Sequence, residues 1–373
     1  MQILAAILIL SVLVVLHELG HLVAALLAKI KVEEFGLGYP PRLWRVAKKN
    51  GIEFTLNAIP FGGFVRLSGE DAQQSTGKSG EFLSASIGWR LLVLLAGVGV
   101  NAVVGVSLLC FVFFSTGVPT RIKDARLGYI QPDSPAQKAG LQEYDSIVAI
   151  QAGADVTYIS GPSQVREVVN QHYGQMVTLS IRRDCRDQVC DTPTQNIDVQ
   201  LRSESEVGPD KGTLGVGFLE AVYVHHPFPD SIPKTIWASL TESFQLTKMI
   251  LTALGQMMSS LFTQGKLAEE LAGPVGIVHT VGSQKMLSGG WQVILSFAGA
   301  LSVNLAIMNV LPIPPLDGGK VVLTLLAKVW GKRGQKIDAW ANYAGYFLLL
   351  GLILLVTARD IWRIVIPYVG WLQ

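Results

Sequence analysis

In a chain of 373 residues, half are hydrophobic and only 16% are charged. With a mean hydropathy of +0.40, that excludes an ordinary soluble domain, and several apolar runs reach the ~20 residues needed to cross a bilayer. The formal net charge of +2, with no basic cluster interleaved with aromatics, excludes a nucleic-acid partner, and three cysteines make neither a disulfide framework nor a thiolate zinc site.

The first apolar run extends from Ile3 to Ala28. It has no basic leader and is too long for the core of a signal peptide, so it reads as part of the mature protein. Inside it stands His17-Glu18-Leu19-Gly20-His21. On a helix, His17 and His21 lie one turn apart on one face, the spacing with which two imidazoles hold one Zn²⁺, and Glu18 beside them can act as general base. Ionisable groups at the centre of a span cost about 2.5 kcal/mol or more each unless they have a functional partner. A chance match is therefore a poorer explanation here than in a soluble helix.

After this span, Ile52 to Ala58 alternates apolar and polar residues behind Asn50-Gly51, a hairpin signal, with Arg42 to Val46 as the partner strand. An isolated hairpin is marginal in water, so this one should rest against the membrane region, either as a structural plug or with an edge that pairs with an unwound peptide. Phe61-Gly62-Gly63-Phe64 follows. A second span is expected over 89–115, where Gly97 and Asn101 suit close helix contact. Residues 121 to about 205 read as a soluble α/β module. In it, Ser134 caps a short helix begun by Pro135 and ended by Gly140, Ser163 to His172 is helical, and Val177 to Ile181 is a closing strand. Cys185 and Cys190 follow that strand and could bridge. Two further spans are expected over 291–313 and 340–357. Lys29, Lys31, Arg42, Arg45, Lys48 and Lys49 after the first span, and Lys320, Lys328, Lys332, Arg333 and Lys336 after the third, place those connections in the cytoplasm and residues 116–290 outside.

Two histidines leave a zinc site incomplete. Asp317 is the candidate third ligand, because it closes the third apolar run at Asn309-Val310-Leu311-Pro312-Ile313-Pro314-Pro315-Leu316-Asp317-Gly318-Gly319, where prolines and glycines break the helix. An N-cap of the helix from Lys320 to Trp330 is the competing role for Asp317. His172, His225, His226 and His279 fall on the outward side and read as surface or packing residues.

Together, the His-Glu-Leu-Gly-His span, the hairpin with Gly-Gly-Phe, Gly97-Val98-Gly99-Val100-Asn101, the inserted module with Ser-Pro-Ala-x-x-Ala-Gly-Leu, Gly273-Pro274-Val275-Gly276-Ile277 and the Leu-Asp-Gly-Gly run resemble the site-2 protease family of intramembrane zinc metalloproteases. Within it they are most similar to the RseP-like bacterial regulators of sigma-factor signalling. The resemblance implies a polytopic α-helical membrane protein with four transmembrane helices, a membrane-associated β-hairpin and one inserted PDZ domain. The expected division is an N-terminal membrane region (1–118), the PDZ domain (119–206), an outward linker with amphipathic helices (207–290) and a C-terminal membrane region (291–373). It implies Zn²⁺ held by His17, His21 and Asp317, Glu18 as general base, and Asn309 holding unwound substrate. The implied partners are the lipid bilayer and single-pass transmembrane substrates of the anti-sigma-factor kind, with peptide or domain contacts through the PDZ domain. The implied location is the bacterial inner membrane. Gln142-Glu143-Tyr144-Asp145 departs from the family's Pro-Gly-Asp turn. A divalent-metal transporter is the alternative, but it would show more spans or an internal repeat. A catalytically inactive PDZ scaffold would not need Glu18.

Overall fold

The computed structural model describes residues 2–70, 75–186, 189–208, 211–264, 289–330, 341, 343–348, 350–351 and 354–362. The chain divides into two compact units, Met1–Val112 with Ser239–Gln373, and Phe113–Ala238.

Helix α1 (Gln2–Leu27) opens the first unit and is apolar on nearly all sides, as a helix bathed in lipid must be. Leu8, Val12 and Val23 on its outer face are more than half exposed, whereas Leu13, Leu22, Ala24 and Ala25 are buried. The buried side joins Ile30 of the following turn, Val32, Phe35, Ile52 and Leu67 of the strands and Val93 and Leu94 of the next helix in one core.

Strands β1 (Val32–Lys49) and β2 (Ile52–Leu67) turn at Asn50-Gly51, both at positive φ, as that hairpin turn requires. Arg42 lies opposite Asn57, Trp44 opposite Leu56 and Arg45 opposite Thr55, which is the expected pairing. The expected isolation of the hairpin is corrected. Residues 34–37 pair on one side with 53–56 and on the other with 63–66, so the two strands double back into a sheet of four segments in the order 42–49, 52–57, 32–37, 63–67. Pro40 and Pro41 stand at the bend, where residues without an N–H interrupt a ladder. The sheet encloses the Glu34 carboxylate, which accepts from Thr55 Oγ1 at 2.8 Å and pairs with Arg42 at 2.8 Å and Arg66 at 3.0 Å, satisfying a charge that would otherwise be costly to bury.

The exit from β2 is stapled down. Ser68 N–H donates to Lys31 O at 2.9 Å, and Phe82 N–H to Ser68 O at 2.8 Å. Glu81 gathers the Thr76 and Ser75 hydroxyls and the Gly77 and Thr76 N–H groups, and these donors hold its carboxyl down at about 2. Since an unfolded Glu titrates near 4.3, the stability this clamp contributes is fully present above about pH 4.3 and is lost as pH falls toward 2. The expected result is a melting-temperature gap between wild type and Glu81→Gln that is open at about pH 7 and closes through that acidic window. A gap independent of pH would show that the charge contributes nothing.

Helix α2 (Ile87–Thr116) leads to the second unit, whose elements follow in order as β3 (Val118–Arg121), β4 (Ala125–Ile130), α3 (Pro135–Lys138), β5 (Ser146–Ala152), β6 (Asp155–Tyr158), α4 (Pro162–Gln171), β7 (Met176–Arg182), β8 (Thr194–Gln200), β9 (Val216–Phe218) and β10 (Ala221–Val224). β8, β7, β5, β4 and β9 form one sheet in that order, with β6 on β5, while β3 and β10 pair as a separate ribbon. Ser134 caps α3 by accepting from Gln137 N–H, and Val165 and Val169 of α4 enter a core with Leu127, Ile147, Leu179 and Ile181. The sheet runs past the expected boundary at residue 206, because β9 joins β4. At the divergent turn, Tyr144 takes the positive φ and Asp145 closes the turn by accepting from Gln142 N–H at 2.9 Å. Cys185 and Cys190 are disulfide-bonded.

Helix α5 (Ser231–Gln264), α6 (Trp291–Val310) and α7 (Asp317–Trp330) complete the described elements. Among the described residues three helices are long and apolar enough to cross a membrane, at Leu4–Leu27, Ile87–Thr116 and Trp291–Val310. The expected fourth span, 340–357, falls partly outside the described residues, and those described within it are helical. Gly273-Pro274-Val275-Gly276-Ile277, His279, Lys332, Arg333 and Lys336 also lie outside them.

Candidate metal centre

α1 carries His17 and His21 on one face, and α7 brings Asp317 to them across 300 residues of sequence. His17 Nε2 is 2.9 Å from Asp317 Oδ2, His21 Nε2 is 3.3 Å from the same oxygen, and the two Nε2 atoms are 3.1 Å apart. Tetrahedral zinc with bonds of ~2.0–2.1 Å sets its ligand atoms about 3.3 Å apart, so two imidazole nitrogens and a carboxylate oxygen at these separations fit three corners of such a site. Asp317 is the first residue of α7, not a cap ahead of it, and its carboxylate is turned to the histidines.

The ring nitrogens facing away from this cluster are anchored, as those of metal-binding histidines generally are. His21 Nδ1 is 2.7 Å from Val93 O, a pure acceptor, so Nδ1 carries a proton and, in the neutral ring, the Nε2 lone pair faces the cluster. His17 Nδ1 faces the Asn101 side-chain amide at 3.3 Å. Asn101 is fully buried and, among the described residues, its Oδ1 has no hydrogen-bond partner. Turning the amide over lets Oδ1 accept from His17 Nδ1–H and frees His17 Nε2 in the same way. Asn101 is itself held where its carbonyl accepts from Ser302 Oγ of α6 at 2.8 Å. Gly97, one turn earlier on α2, leaves the remaining room: a Cβ there would sit 2.5 Å from His21 Nε2 and 2.7 Å from His17 Nε2. The sequence reading assigned Gly97 and Asn101 to helix packing. The structure places them against the two histidines.

Glu18 lines the same cavity of about 860 Å³ as the three clustered residues, and so does Asn309 at the end of α6. The strand segment beginning at Gly63 forms one wall, with the Gly63 Cβ direction 3.5 Å from Glu18 Cγ. All five expected site residues are thus brought to one cavity. His172 bonds Val168 O, His225 bonds Ser115 O and His226 contacts Lys234, the packing roles expected of them.

A two-histidine, one-carboxylate cluster with an adjacent glutamate, beside apolar helices, is a donor set of the kind a metallohydrolase uses. Residues 5–352 match peptidase family M50, and the chain belongs to that family, the membrane metalloendopeptidases of the site-2 protease type. It is 30% identical, over 97% of its length and 98% of the relative's, to a Clostridium perfringens protein whose name describes it as a zinc metalloprotease. It is 24% identical to zinc metalloprotease RasP of Geobacillus kaustophilus, covering 96% of this chain and 97% of that one. With the chloroplastic membrane metalloprotease ARASP of Arabidopsis thaliana it shares 30% identity over 96% of this chain and 78% of the relative.

Proposed function

We propose that this chain is a zinc endopeptidase that cuts single-pass membrane proteins within or near their transmembrane segment, in regulated intramembrane proteolysis of the kind that releases anti-sigma factors. The observation that carries this reading is the convergence of His17, His21 and Asp317 with Glu18 in a cavity lined by the apolar helices α1, α2 and α6 together with α7 and the hairpin. His17, His21 and Asp317 would hold the ion. Zinc, when bound there, supplies a Lewis acid for the scissile carbonyl and lowers the pKa of water toward ~7. Glu18 takes the proton of the attacking water and returns it to the leaving amine. Asn309 holds the substrate's freed backbone groups.

A substrate helix hides its peptide bonds behind its own hydrogen bonds and must unwind before it can be cut. Segment 63–67 offers compensation. It pairs with residues 32–37 on one side and, among the described residues, with no strand on the other, so an extended substrate can add there as a further strand beside Glu18. Basic residues after the first span put the hairpin in the cytoplasm of a bacterial cell, with the second unit outside the inner membrane. We read that second unit as a PDZ-type size filter inserted between spans. Its capped helix, its core and the edge of β9, which among the described residues pairs only with β4, support that reading.

The test uses purified, zinc-loaded protein and one transmembrane sequence carrying either a short tail or a folded outward domain. Because β3 and β10 pair from Val118 opposite Val224 to Arg121 opposite Ala221, the module can be excised between them and replaced by a short linker, and every proposed site residue remains. The intact enzyme is expected to cut the short-tailed substrate inside its span and to reject the bulky one, and the excised enzyme to cut both. Failure of the intact enzyme to cut the short-tailed substrate within its membrane segment overturns the protease reading. Identical selectivity in the two overturns the filter alone.

A further inference from the structure

Asp317 stands at the first turn of α7, directly after the proline-broken connection from α6, where a short helix end has little of its own to fix its roll. Three residues further on, and therefore on the same helix face, Lys320 reaches Glu70. Lys320 Nζ and Glu70 Oε1 are 2.8 Å apart, across 250 residues of sequence, and both residues line the cavity that holds the histidines. Glu70 does not hang from a free loop. The turn from which it projects is fastened through Ser68 to Lys31 and Phe82, through Glu70 N–H to Leu67 O, and through Gly69 O to Leu83 N–H.

We propose that Glu70 and Lys320 form a strut that sets the position of the Asp317 carboxylate: a positioning pair for the metal centre which neither binds the ion nor takes part in proton transfer. The strut joins the rigid exit of β2 to the one helix face that presents the carboxylate, and a turn later the same face meets α2, where Arg90 Nη2 lies 3.5 Å from the hydroxyl of buried Thr324. α7 is thereby gripped at two heights along the face that carries the ligand. The proposal rests on Asp317 being a zinc ligand. It adds that the ligand's placement depends on a charge pair outside the coordination shell.

An ion pair about one-third exposed on each side contributes little to folding, so the decisive measurement is zinc affinity, by chelator competition on the full-length detergent-solubilised protein. Lys320→Met and Glu70→Lys are each expected to weaken zinc binding about 10- to 100-fold, the usual effect of losing an outer partner. Thermal unfolding of the metal-free protein should hardly move. The charge-exchanged double variant, Glu70→Lys with Lys320→Glu, should recover most of the lost affinity, which a merely damaged fold would not do. Wild-type affinity in Lys320→Met, or a double variant no better than the single ones, overturns the strut. Asp317→Asn measured alongside separates the two ideas: unchanged zinc affinity in that variant overturns the ligand assignment itself, whereas lost affinity there with normal affinity in Lys320→Met removes only the strut.

Discussion

Glu18→Gln yields a folded, zinc-loaded protein that no longer cuts its substrate. Glutamine keeps the size of the side chain and its place in the cavity wall opposite Gly63, but it cannot accept and return a proton. Loss of a positioned general base costs about 100- to 10,000-fold in turnover, and among the described residues no second carboxylate in the cavity stands next to the histidines as Glu18 does, since Asp317 is engaged by both imidazoles. Metal content should stay near that of the wild type because Glu18 is not among the three clustered ligand atoms. The check is a single-turnover cleavage assay beside zinc analysis of the same preparation. Turnover near the wild-type rate would remove Glu18 from the mechanism. Zinc loss would place it in the coordination shell instead.

Asp317→Asn is expected to lose both metal and activity. The substitution replaces an anionic oxygen with a neutral amide at a point 2.9 and 3.3 Å from two imidazole nitrogens, so zinc binding should weaken by more than the ~10- to 100-fold typical of an outer-shell change. An Asp that served only to cap a helix would behave differently, because Asn caps as well as Asp. Zinc affinity and cleavage rate measured over a range of added zinc separate the cases. A ligand variant regains part of its activity at high zinc, whereas normal affinity and normal rate return Asp317 to a structural role.

What could be read without coordinates was whatever the chain encodes locally. His17 and His21 declare a shared face by their spacing, and Asn50-Gly51 fixes the register that sets Arg42 against Asn57. The prolines from Pro312 to Pro315 announce that a carboxylate near the end of a span is being presented, not buried. Ser134, Pro135 and Gly140 mark both ends of one short helix. What stayed hidden depends on how distant elements are rotated against one another. Gly97 and Asn101 differ from ordinary packing residues only because α2 turns that face toward the histidines, and nothing within α2 states its roll. The folding back of β1 and β2 arises where residues 32–37 find partners on both sides, a consequence of tertiary packing that alternation along one strand does not carry. β9 is three residues long and lies beyond the point where the module's periodicity fades. Glu70 and Lys320, 250 residues apart, each look like a solvated charge.

α1 bears the histidine pair on one side and presents Leu8, Val12 and Val23 outward on the other, so a helix at the margin of the protein carries the reacting groups. At 1.5 Å per residue its 24-residue span, Leu4–Leu27, is about 36 Å long, against a hydrocarbon thickness of ~30 Å. An excess of that size is taken up by tilt, by a kink or by local thickening of the bilayer, and a helix exposed on one flank meets lipid there and protein on the other. The depth at which the centre lies below the headgroups is therefore set jointly by the protein and by the acyl chains around it. Under the proposed function, lipid chain length is then a variable that sets which peptide bond of a substrate's transmembrane segment comes level with Glu18.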